Sequence, residues 1–363
     1  MESVEVAAYT VPTDGPESDG TLEWSETTVC TVHVRAGGEE GLGYAYTAAA
    51  AAALVRDVLA PVLEGMDAMS PPAAWEALRQ QVRNVGRPGI ASSALSAVDA
   101  AMWDLKARLL GLPLVTLLGQ IHDGIPAYGS GGFTSYPLER LRGQLAGWAE
   151  EGLRMVKMKV GREPDDDPER VAAAREAVGE DVQLFVDANG AYSRKEALYW
   201  TWAFAEEWGV SWMEEPVSSN DLDGLRLLRD QGPPGCDIAA GEYGWSLPDF
   251  RELLVRGAVD TLQVDVTRCG GITPLLRVAA LCDAHETPLS GHTAPALHAP
   301  ALCAVPRAVH VEWFHDHARI ESMLFDGAPT PRGGVLHPNT DGPGHGLTLK
   351  RQDAEPYRTG AGR

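Results

Sequence analysis

The feature that most constrains the fold is a series of eight short β-rich segments between residues 125 and 314, separated by stretches of helical character. They are IPAYGS (125–130), MVKMKVG (155–161), VQLFVDANG (182–190), SWMEEP (211–216), CDIAAGE (236–242), TLQVDV (261–266), TPLSGH (287–292) and AVHVEWF (308–314). Strands that alternate with helices are typical of parallel sheets, because each parallel connection needs a crossover. Eight such units in succession predict an α/β fold, a TIM-like (β/α)8 barrel, over residues 125–325.

The residues before and after these segments predict a second, smaller unit. Residues 1–46 show the alternation and the glycine turns of a small antiparallel sheet. Alanines 48–53 and the segment 90–110, where apolar residues recur three and four positions apart, predict helices, the second of them amphipathic. Residues 326–363 are rich in glycine and proline without helical periodicity, so they either cover another domain or trail away from the barrel.

Composition argues against several classes of function. The chain carries 30 Lys and Arg residues against 51 Asp and Glu residues, a formal net charge of −21 at pH 7. Binding to nucleic acid or to an acidic membrane needs a basic face, which this balance does not favour. The acidic start is unlike a signal peptide, and no apolar run reaches the roughly 18 residues of a membrane span. Five widely spaced cysteines without a CxxC pair fit a reducing compartment, so a cytoplasmic protein is expected.

Ionisable residues recur at the carboxyl ends of seven of the predicted strands. A barrel of this type carries its active site at that end, so these side chains are expected to converge. Their spacing of 20 to 28 residues is close to one βα unit each. They are Lys159, Asp187, Glu214, Glu242, Asp265, His292 and Glu312.

Three consecutive strands end in carboxylates: Asp187, Glu214 and Glu242. Taken singly, each of them could be a turn or solvated loop residue. Converging anions repel one another unless a cation lies between them. Carboxylate oxygens with room for water and substrate oxygens suit the hard cation Mg²⁺, so these three residues are the predicted metal ligands.

Two lysines, Lys157 and Lys159, lie two positions apart on one predicted strand and therefore point to the same face. Two solvated lysines are the simpler alternative, but a parallel barrel strand is covered on both sides. Two ammonium groups that close to each other, with a metal nearby, should depress each other's pKa, which makes a lysine a usable base. Lys159, nearer the strand end, is the predicted proton-transfer group, with Lys157 tuning its pKa.

A second acid–base group is predicted from His292 and Asp265, which end neighbouring strands. A carboxylate beside an imidazole sets its tautomer and raises its pKa. Glu312 is either a buried carboxyl, an ion-pair partner or a neutral acid that donates a hydrogen bond to a developing oxyanion. Together these residues predict a site where a metal holds a substrate carboxylate while bases on two faces handle its α-proton.

In order and spacing, these motifs resemble the enolase superfamily and, within it, the mandelate racemase subgroup. The matching segments are SALSAVDAAMWDLKARLLGLPLVTLLG (93–119), KMK (157–159), VDANG (186–190), MEEP (213–216), GE (241–242), Asp265 followed by Gly270-Gly271, and SGH (290–292). The resemblance implies Mg²⁺ held by Asp187, Glu214 and Glu242. It also implies bases on opposite faces at Lys159, with Lys157 as its partner, and at the His292–Asp265 pair, with Glu312 as the electrophilic acid. No lysine stands beside Asp265, as the muconate cycloisomerase and dipeptide epimerase subgroup would require.

The resemblance further implies an α+β capping domain made from residues 1–124 and joined by the segment 326–363. Loops near residues 14–26 and 44–47 would close the barrel mouth. The candidate substrate contacts are Trp24, Tyr44, Tyr46 and Asn189, although the aromatic residues could equally belong to hydrophobic surface.

Two outcomes of α-proton abstraction remain open at this stage. The subgroup acts mostly on sugar acids, which favours an acid-sugar dehydratase in which His292 protonates a β-hydroxyl leaving group. The alternative is a racemase or epimerase of an α-hydroxy acid that uses Lys159 and His292 as opposite bases. A third hypothesis is a barrel that binds metal or ligand without catalysis, but such a protein would not need both bases and three metal ligands. The implied partner is a small-molecule carboxylate, and the relatives imply a homo-oligomer.

Overall fold

In the computed structural model, which describes residues 1–359, the chain begins with three antiparallel strands. They are β1 Ser3–Ser18, β2 Glu23–Ala36 and β3 Glu39–Tyr46. The pairing of β1 with β2 shifts register between Pro12 and Glu17, and the two strands meet in a tight turn at residues 19–22. We call residues 12–26, the far end of this pair, the cap hairpin.

Five α-helices follow the sheet. They are α1 Ala50–Leu54, continued by a π-helical turn Val55–Leu59, then α2 Ala60–Leu63, α3 Pro71–Gln81, α4 Ile90–Leu109 and α5 Leu114–Leu118. The alanine run and the segment 90–110 are therefore helical, as predicted. Within the described residues, no helix combines the length and the apolar character that crossing a bilayer requires.

Helix α4 is buried on nearly every side, with 16 of its 20 residues inside the protein. Gly41 and Gly43 let β3 approach it closely, since a Cβ at Gly43 would lie 2.1 Å from the carbonyl oxygen of Ala97. On the barrel side, Asp99 accepts hydrogen bonds from the backbone N–H and the hydroxyl of Thr273. The amphipathic helix predicted here is wrong, because α4 lies between two protein layers and has no solvent face.

Eight parallel strands then form a closed barrel. They are β4 Ile125–Gly131, β5 Met155–Lys159, β6 Gln183–Asp187, β7 Val210–Glu214, β8 Asp237–Ala240, β9 Thr261–Val264, β10 Leu289–Gly291 and β11 Ala308–Phe314. Each strand pairs with the next, and β11 pairs with β4 from Val311–Ala127 to Phe314–Ser130. Closure leaves the ionisable strand ends in a ring around one opening.

A helix follows each barrel strand on the outside. The helices are α6 Leu138–Glu150, α7 Asp167–Val178, α8 Arg194–Trp208, α9 Leu222–Gln231, α10 Leu247–Val255, α11 Ile272–Ala284, α12 Pro295–Leu302 and α13 His315–Leu324. Inside the barrel, Tyr128, Phe185 and Trp212 form a buried aromatic cluster. The Nζ atom of Lys157 lies 5.4 Å from the centroid of the Tyr128 ring. His310 packs against all three rings, and Lys157 connects this cluster with the carboxylates of the site.

The carboxy-terminal segment returns to the rest of the protein. It contains β12 Phe325–Asp326, β13 Val335–Leu336, β14 Thr348–Leu349, α14 Arg351–Ala354, a 3₁₀ turn Glu355–Tyr357 and β15 Arg358–Thr359. Strand β13 pairs antiparallel with β4, and β15 pairs antiparallel with β1. Residues 360–363 lie outside the described residues. The predicted fold class, a TIM-like barrel with an α+β capping domain, is confirmed.

Candidate active site

The seven predicted strand-end residues meet at the mouth of the barrel. Strand pairing places Lys159 beside Asp187, and Asp187 beside Glu214. Every one of the seven residues is at most 5% exposed, as is Lys157. Parallel pairing therefore turns residues that are distant in sequence into one buried polar cluster.

The two lysines contact carboxylates rather than each other. Lys157 Nζ lies 2.6 Å from Glu214 Oε2, 2.9 Å from Glu312 Oε1 and 3.5 Å from Asp187 Oδ2. Lys159 Nζ donates a hydrogen bond to Asp187 Oδ2. Burial lowers the pKa of both ammonium groups, but the carboxylates outweigh it and raise both. The predicted depression of the lysine pKa values assumed a nearby metal and stays a prediction, whereas the carboxylate contacts alone raise both pKa values. Lys157 does lower the pKa of Lys159, but Asp187 raises it more.

Glu214 and Glu242 present carboxylate oxygens to one point. Glu214 Oε1 is buried and has no hydrogen-bond partner within residues 1–359, and Glu242 Oε2 is buried with His292 Nε2 at 3.2 Å. One donor atom from each of Glu214, Glu242 and His292 lies within 4.8 Å of the other two. Unpartnered buried carboxylate oxygens are costly unless a cation binds them. These two residues therefore fit a hard divalent ion.

Asp187 lies beside this pair on the neighbouring strand but uses its oxygens differently. Its Oδ2 accepts from Lys159, and its Oδ1 accepts from the backbone N–H of Asn189 at 2.9 Å. Trp212 Nε1 donates to Glu214 Oε2 at 3.1 Å and orients that ligand from below. Burial, followed by the charge of Asp187, raises the pKa of Glu214 to about 8. The predicted ligand Asp187 is thus close to the pair but bonded to lysine in this arrangement.

His292 and Asp265 form the predicted pair. His292 Nδ1 lies 2.8 Å from Asp265 Oδ2, while the other oxygen of Asp265 accepts from the backbone N–H and the hydroxyl of Thr267. On its far side, His292 Nε2 lies 3.2 Å from Glu242 Oε2. Burial lowers the pKa of His292, but Glu242, Glu312 and Asp265 outweigh it and raise the pKa to about 10. The ring is therefore an imidazolium, and hence a proton donor, near neutral pH.

Glu312 is held as a carboxylate. It accepts hydrogen bonds from Ser130 Oγ at 2.6 Å and from the backbone N–H of Thr293 at 3.0 Å, and it contacts Lys157. Burial raises its pKa, but Lys157, His292 and Lys159 outweigh it and lower the pKa of Glu312 to about 2. The neutral-acid role considered for Glu312 is not supported by this arrangement, because three cationic groups surround it. The ion-pair alternative describes its contacts.

Two polar residues of the site lie outside the predicted set. Arg268 Nη1 lies 3.0 Å from Glu242 Oε1, and its Nε lies 3.4 Å from Asp265 Oδ2. Glu215 is 1% exposed with φ of +38°, and its Oε1 has no hydrogen-bond partner in the described chain. The second glutamate of MEEP was a visible signal for Glu215. Arg268 lies three residues beyond Asp265 on a loop, so a search for polar residues at strand ends does not identify it.

The predicted substrate contacts divide into two groups. Trp24 packs edge-to-face on Phe133 at the mouth, and Asn189 lies beside Asp187 with its Oδ1 unpartnered among residues 1–359. Tyr44 is fully buried and donates to Glu321 Oε1 at 2.5 Å. Tyr46 stacks on the ring of His317 and donates to the carbonyl oxygen of that residue. The predicted contacts of Tyr44 and Tyr46 are therefore corrected, because both side chains fasten β3 to α13.

The cap hairpin rests on the ends of the barrel strands. Thr134 N–H donates to the carbonyl oxygen of Ser18 at 2.8 Å. A Cβ at Gly20 would lie 2.4 Å from the carbonyl oxygen of Ala188 and 2.8 Å from that of Val160. The glycine therefore allows the hairpin tip to lie directly on the loops that follow β5 and β6.

Comparison with known proteins places this geometry in a family. Residues 3–119 match the family described as mandelate racemase/muconate lactonizing enzyme, N-terminal domain, and residues 140–354 match the one described as enolase C-terminal domain-like. The chain is 34% identical to the 3,6-anhydro-alpha-L-galactonate cycloisomerase of Streptomyces coelicolor, covering 96% of this chain and 97% of the relative. It is 31% identical to the L-talarate/galactarate dehydratase of Salmonella typhimurium, covering 90% of this chain and 85% of the relative.

Two solved structures are also similar over the whole chain. A mandelate racemase/muconate lactonizing enzyme-like protein from Rubrobacter xylanophilus is 60% identical with a TM-score of 0.97, and 99% of each chain is covered. A racemase from Streptomyces coelicolor with bound magnesium is 30% identical with a TM-score of 0.92, again covering 99% of each chain. The protein is a member of the mandelate racemase/muconate lactonizing enzyme family of the enolase superfamily.

Proposed function

We propose that the protein is a Mg²⁺-dependent acid-sugar dehydratase. The observation that carries this proposal is the placement of a lysine, Lys159, and an imidazole, His292, around the buried carboxylates of Asp187, Glu214 and Glu242. Lys159 ends β5 and His292 directly follows β10, so they approach the mouth from different sides. The dehydratase named among the relatives supports a sugar acid as substrate.

The metal would be held by Glu214 and Glu242, with Asp187 beside them, and the magnesium in the Streptomyces coelicolor structure supports this choice. When bound, Mg²⁺ supplies Lewis-acid stabilisation of the negative charge that develops on the substrate carboxylate. Lys159 loses its proton more readily once Asp187 serves as a ligand, because Asp187 is the charge that most raises the lysine pKa.

In the proposed reaction, neutral Lys159 takes the α-proton of the substrate. The electron pair of that C–H bond forms the new C=C bond, and the β C–O bond breaks. His292 donates its proton to the departing hydroxyl, which leaves as water. Asp265 holds the imidazole ring in place and stabilises its charged form. Trp24 on the cap hairpin and Asn189 are the residues we propose to contact the substrate.

A racemase or epimerase is the second candidate. The same lysine and imidazole could remove and return the α-proton on opposite faces, and the Streptomyces coelicolor structure is described as a racemase. The two candidates differ only in whether His292 gives its proton to the β-oxygen or to the α-carbon.

The test is incubation of the protein with Mg²⁺ and a set of mono- and diacid sugars in deuterated water, read by mass spectrometry. We expect one substrate to lose water, with deuterium in the product. Incorporation of α-deuterium without loss of water would favour the racemase. Lys159→Ala should abolish both reactions, whereas the exposed Lys195→Ala is the matched control and should leave them unchanged.

We also propose the following domain division and setting. Residues 1–124 form the capping domain, residues 125–325 the catalytic barrel, and residues 326–363 a segment that returns to the capping domain, which the pairing of β15 with β1 supports. All five cysteines are buried and unbonded, which supports a cytoplasmic setting. Light scattering after size-exclusion chromatography tests the proposed homo-oligomer, and a monomer at micromolar concentration would contradict it.

A further inference from the structure

A second cluster of metal-ligating side chains lies where the cap hairpin meets the barrel. Asp14 and Glu17 come from the hairpin, and His315 is the first residue of α13, directly after β11. One donor atom from each of these three side chains lies within 4.8 Å of the other two. Asp14 Oδ2 is 3.0 Å from His315 Nε2.

Glu17 supplies an independent indication that something binds here. Its side chain is fully buried, and Oε2 accepts a hydrogen bond from Trp24 Nε1 at 2.8 Å. Its Oε1 is buried and has no hydrogen-bond partner among the described residues. A buried carboxylate oxygen without a donor is costly, and coordination of a cation would remove that cost.

The surrounding arginines orient the ligands without occupying every donor atom. Arg140 donates to Asp14 Oδ1 at 2.7 Å, which leaves Oδ2 directed at His315. Arg319 donates to Asp316 and to the carbonyl oxygen of Pro12. Asp14 Oδ2 and His315 Nε2 contact each other at 3.0 Å, so a cation would replace that contact and bind both atoms together with one oxygen of Glu17.

This donor set differs from the one at the barrel mouth. Mg²⁺ is usually bound by oxygen alone, whereas one imidazole nitrogen with two carboxylate oxygens suits Zn²⁺ and related divalent transition metals. Three protein ligands with a fourth position left to water is a recurrent zinc arrangement.

We propose that Asp14, Glu17 and His315 form a second metal site, of the zinc class, which fastens the cap hairpin to the barrel. Asp14 and Glu17 lie about 300 residues from His315 in sequence, so the ion would bridge the capping sheet and the end of β11. Because the cap hairpin rests on the loops after β5 and β6, the ion would hold the hairpin over the barrel mouth.

Diffraction tests the site directly. Crystals grown with Mg²⁺ would be soaked in Zn²⁺, and anomalous data collected at the zinc edge. We expect a peak about 2.0–2.2 Å from one donor atom of each of Asp14, Glu17 and His315. No peak there, or a peak only beside Glu214 and Glu242, would overturn the proposal.

Solution measurements separate this site from the one at the barrel mouth. In calorimetric titration of the full chain with Zn²⁺, His315→Gln should lose one equivalent of binding relative to wild type. The exposed His285→Gln is the matched control and should lose none. Equal stoichiometry in all three proteins would contradict the proposal.

Hydrogen exchange tests the fastening of the hairpin. At a hundred-fold excess of Zn²⁺ over its Kd, amides of residues 12–26 that exchange by hairpin opening should slow by up to about 100-fold in wild type. In His315→Gln they should not change. Zinc binding in wild type without added protection of the hairpin would refute the fastening role.

Discussion

Among single residues, Arg268 makes the connection between the two halves of the site. Its guanidinium contacts Glu242, a proposed metal ligand, and Asp265, the partner of His292. Burial lowers the pKa of Arg268, but these carboxylates outweigh it, so the side chain stays charged. Arginine suits this position because its planar fork can reach two carboxylates at once.

Replacing this residue tests that connection. Arg268→Ala should weaken Mg²⁺ affinity or activity about 10–100-fold, because the loss of a group that hydrogen-bonds to a metal ligand usually has an effect of this size. The measurement is a Mg²⁺ titration of activity. Arg256→Ala is the control, because Arg256 is exposed and pairs with Glu252 and Asp223 at the surface. If both variants behave alike, Arg268 does not orient the site.

The clustering of the strand-end residues could be predicted from the sequence, because parallel pairing places the last residues of neighbouring strands side by side. Lys159, Asp187 and Glu214 lie side by side for this reason. The direction of the lysine pKa shifts could not be predicted in the same way. It depends on distances of a few ångströms between Lys157 and the carboxylates, which the spacing of residues along a strand does not determine.

Among the elements, β3 can contact α4 closely because Gly41 and Gly43 have no side chains. Gly43→Ala should destabilise the protein by about 1–3 kcal/mol, because its Cβ would meet the backbone of Ala97. Gly143→Ala, on α6 with nothing within 4 Å of its Cβ, should stabilise it by up to about 1 kcal/mol. Urea unfolding measures both, and equal effects would contradict the close packing described for β3.

The contact of β3 with α13 should depend on pH. Burial raises the pKa of Glu321 to about 8, so folding favours its protonated form. Its contribution to stability is complete below the unfolded pKa, near 4.5, and is lost as pH rises through about 8. The loss amounts to about 1.4 kcal/mol per pKa unit.

Glu321→Gln imitates the protonated side chain and should remove that pH dependence. The amide can still accept from the backbone N–H of Ala296 and can donate to the Tyr44 hydroxyl oxygen. Thermal unfolding at pH 5 and pH 8 compares the two proteins. A variant that loses as much stability as wild type between these pH values would show that Glu321 titrates normally.

Periodicity in the sequence predicted the elements but not all of their surroundings. The alternation of strands and helices identified the barrel because each βα unit repeats the same pattern. The sequence does not reveal that α4 is buried on nearly every side. Between its large apolar residues stand mostly alanine and serine, and these small residues occur both on exposed and on closely packed helix faces. The role of Tyr44 was missed because its partner, Glu321, is far away in sequence.

In the whole molecule, the acidic residues include a group that is concentrated at one place. A formal charge of −21 includes a group of carboxylates gathered at the barrel mouth, where two lysines, an arginine and a histidine balance them. An anionic substrate can therefore enter an acidic protein because the charge that it meets is local. The cap hairpin, part of the amino-terminal sheet, lies on the loops that follow β5 and β6 at this opening.

In the proposed mechanism, Lys159 removes the α-proton and His292 protonates the leaving hydroxyl. The most direct test follows α-deuterium exchange and water loss together, in deuterated water with Mg²⁺, for Lys159→Ala and His292→Asn. We predict that Lys159→Ala shows neither process. His292→Asn should lose dehydration by about 10²–10⁴-fold while still exchanging the α-proton. Dehydration at the wild-type rate in either variant would contradict this assignment.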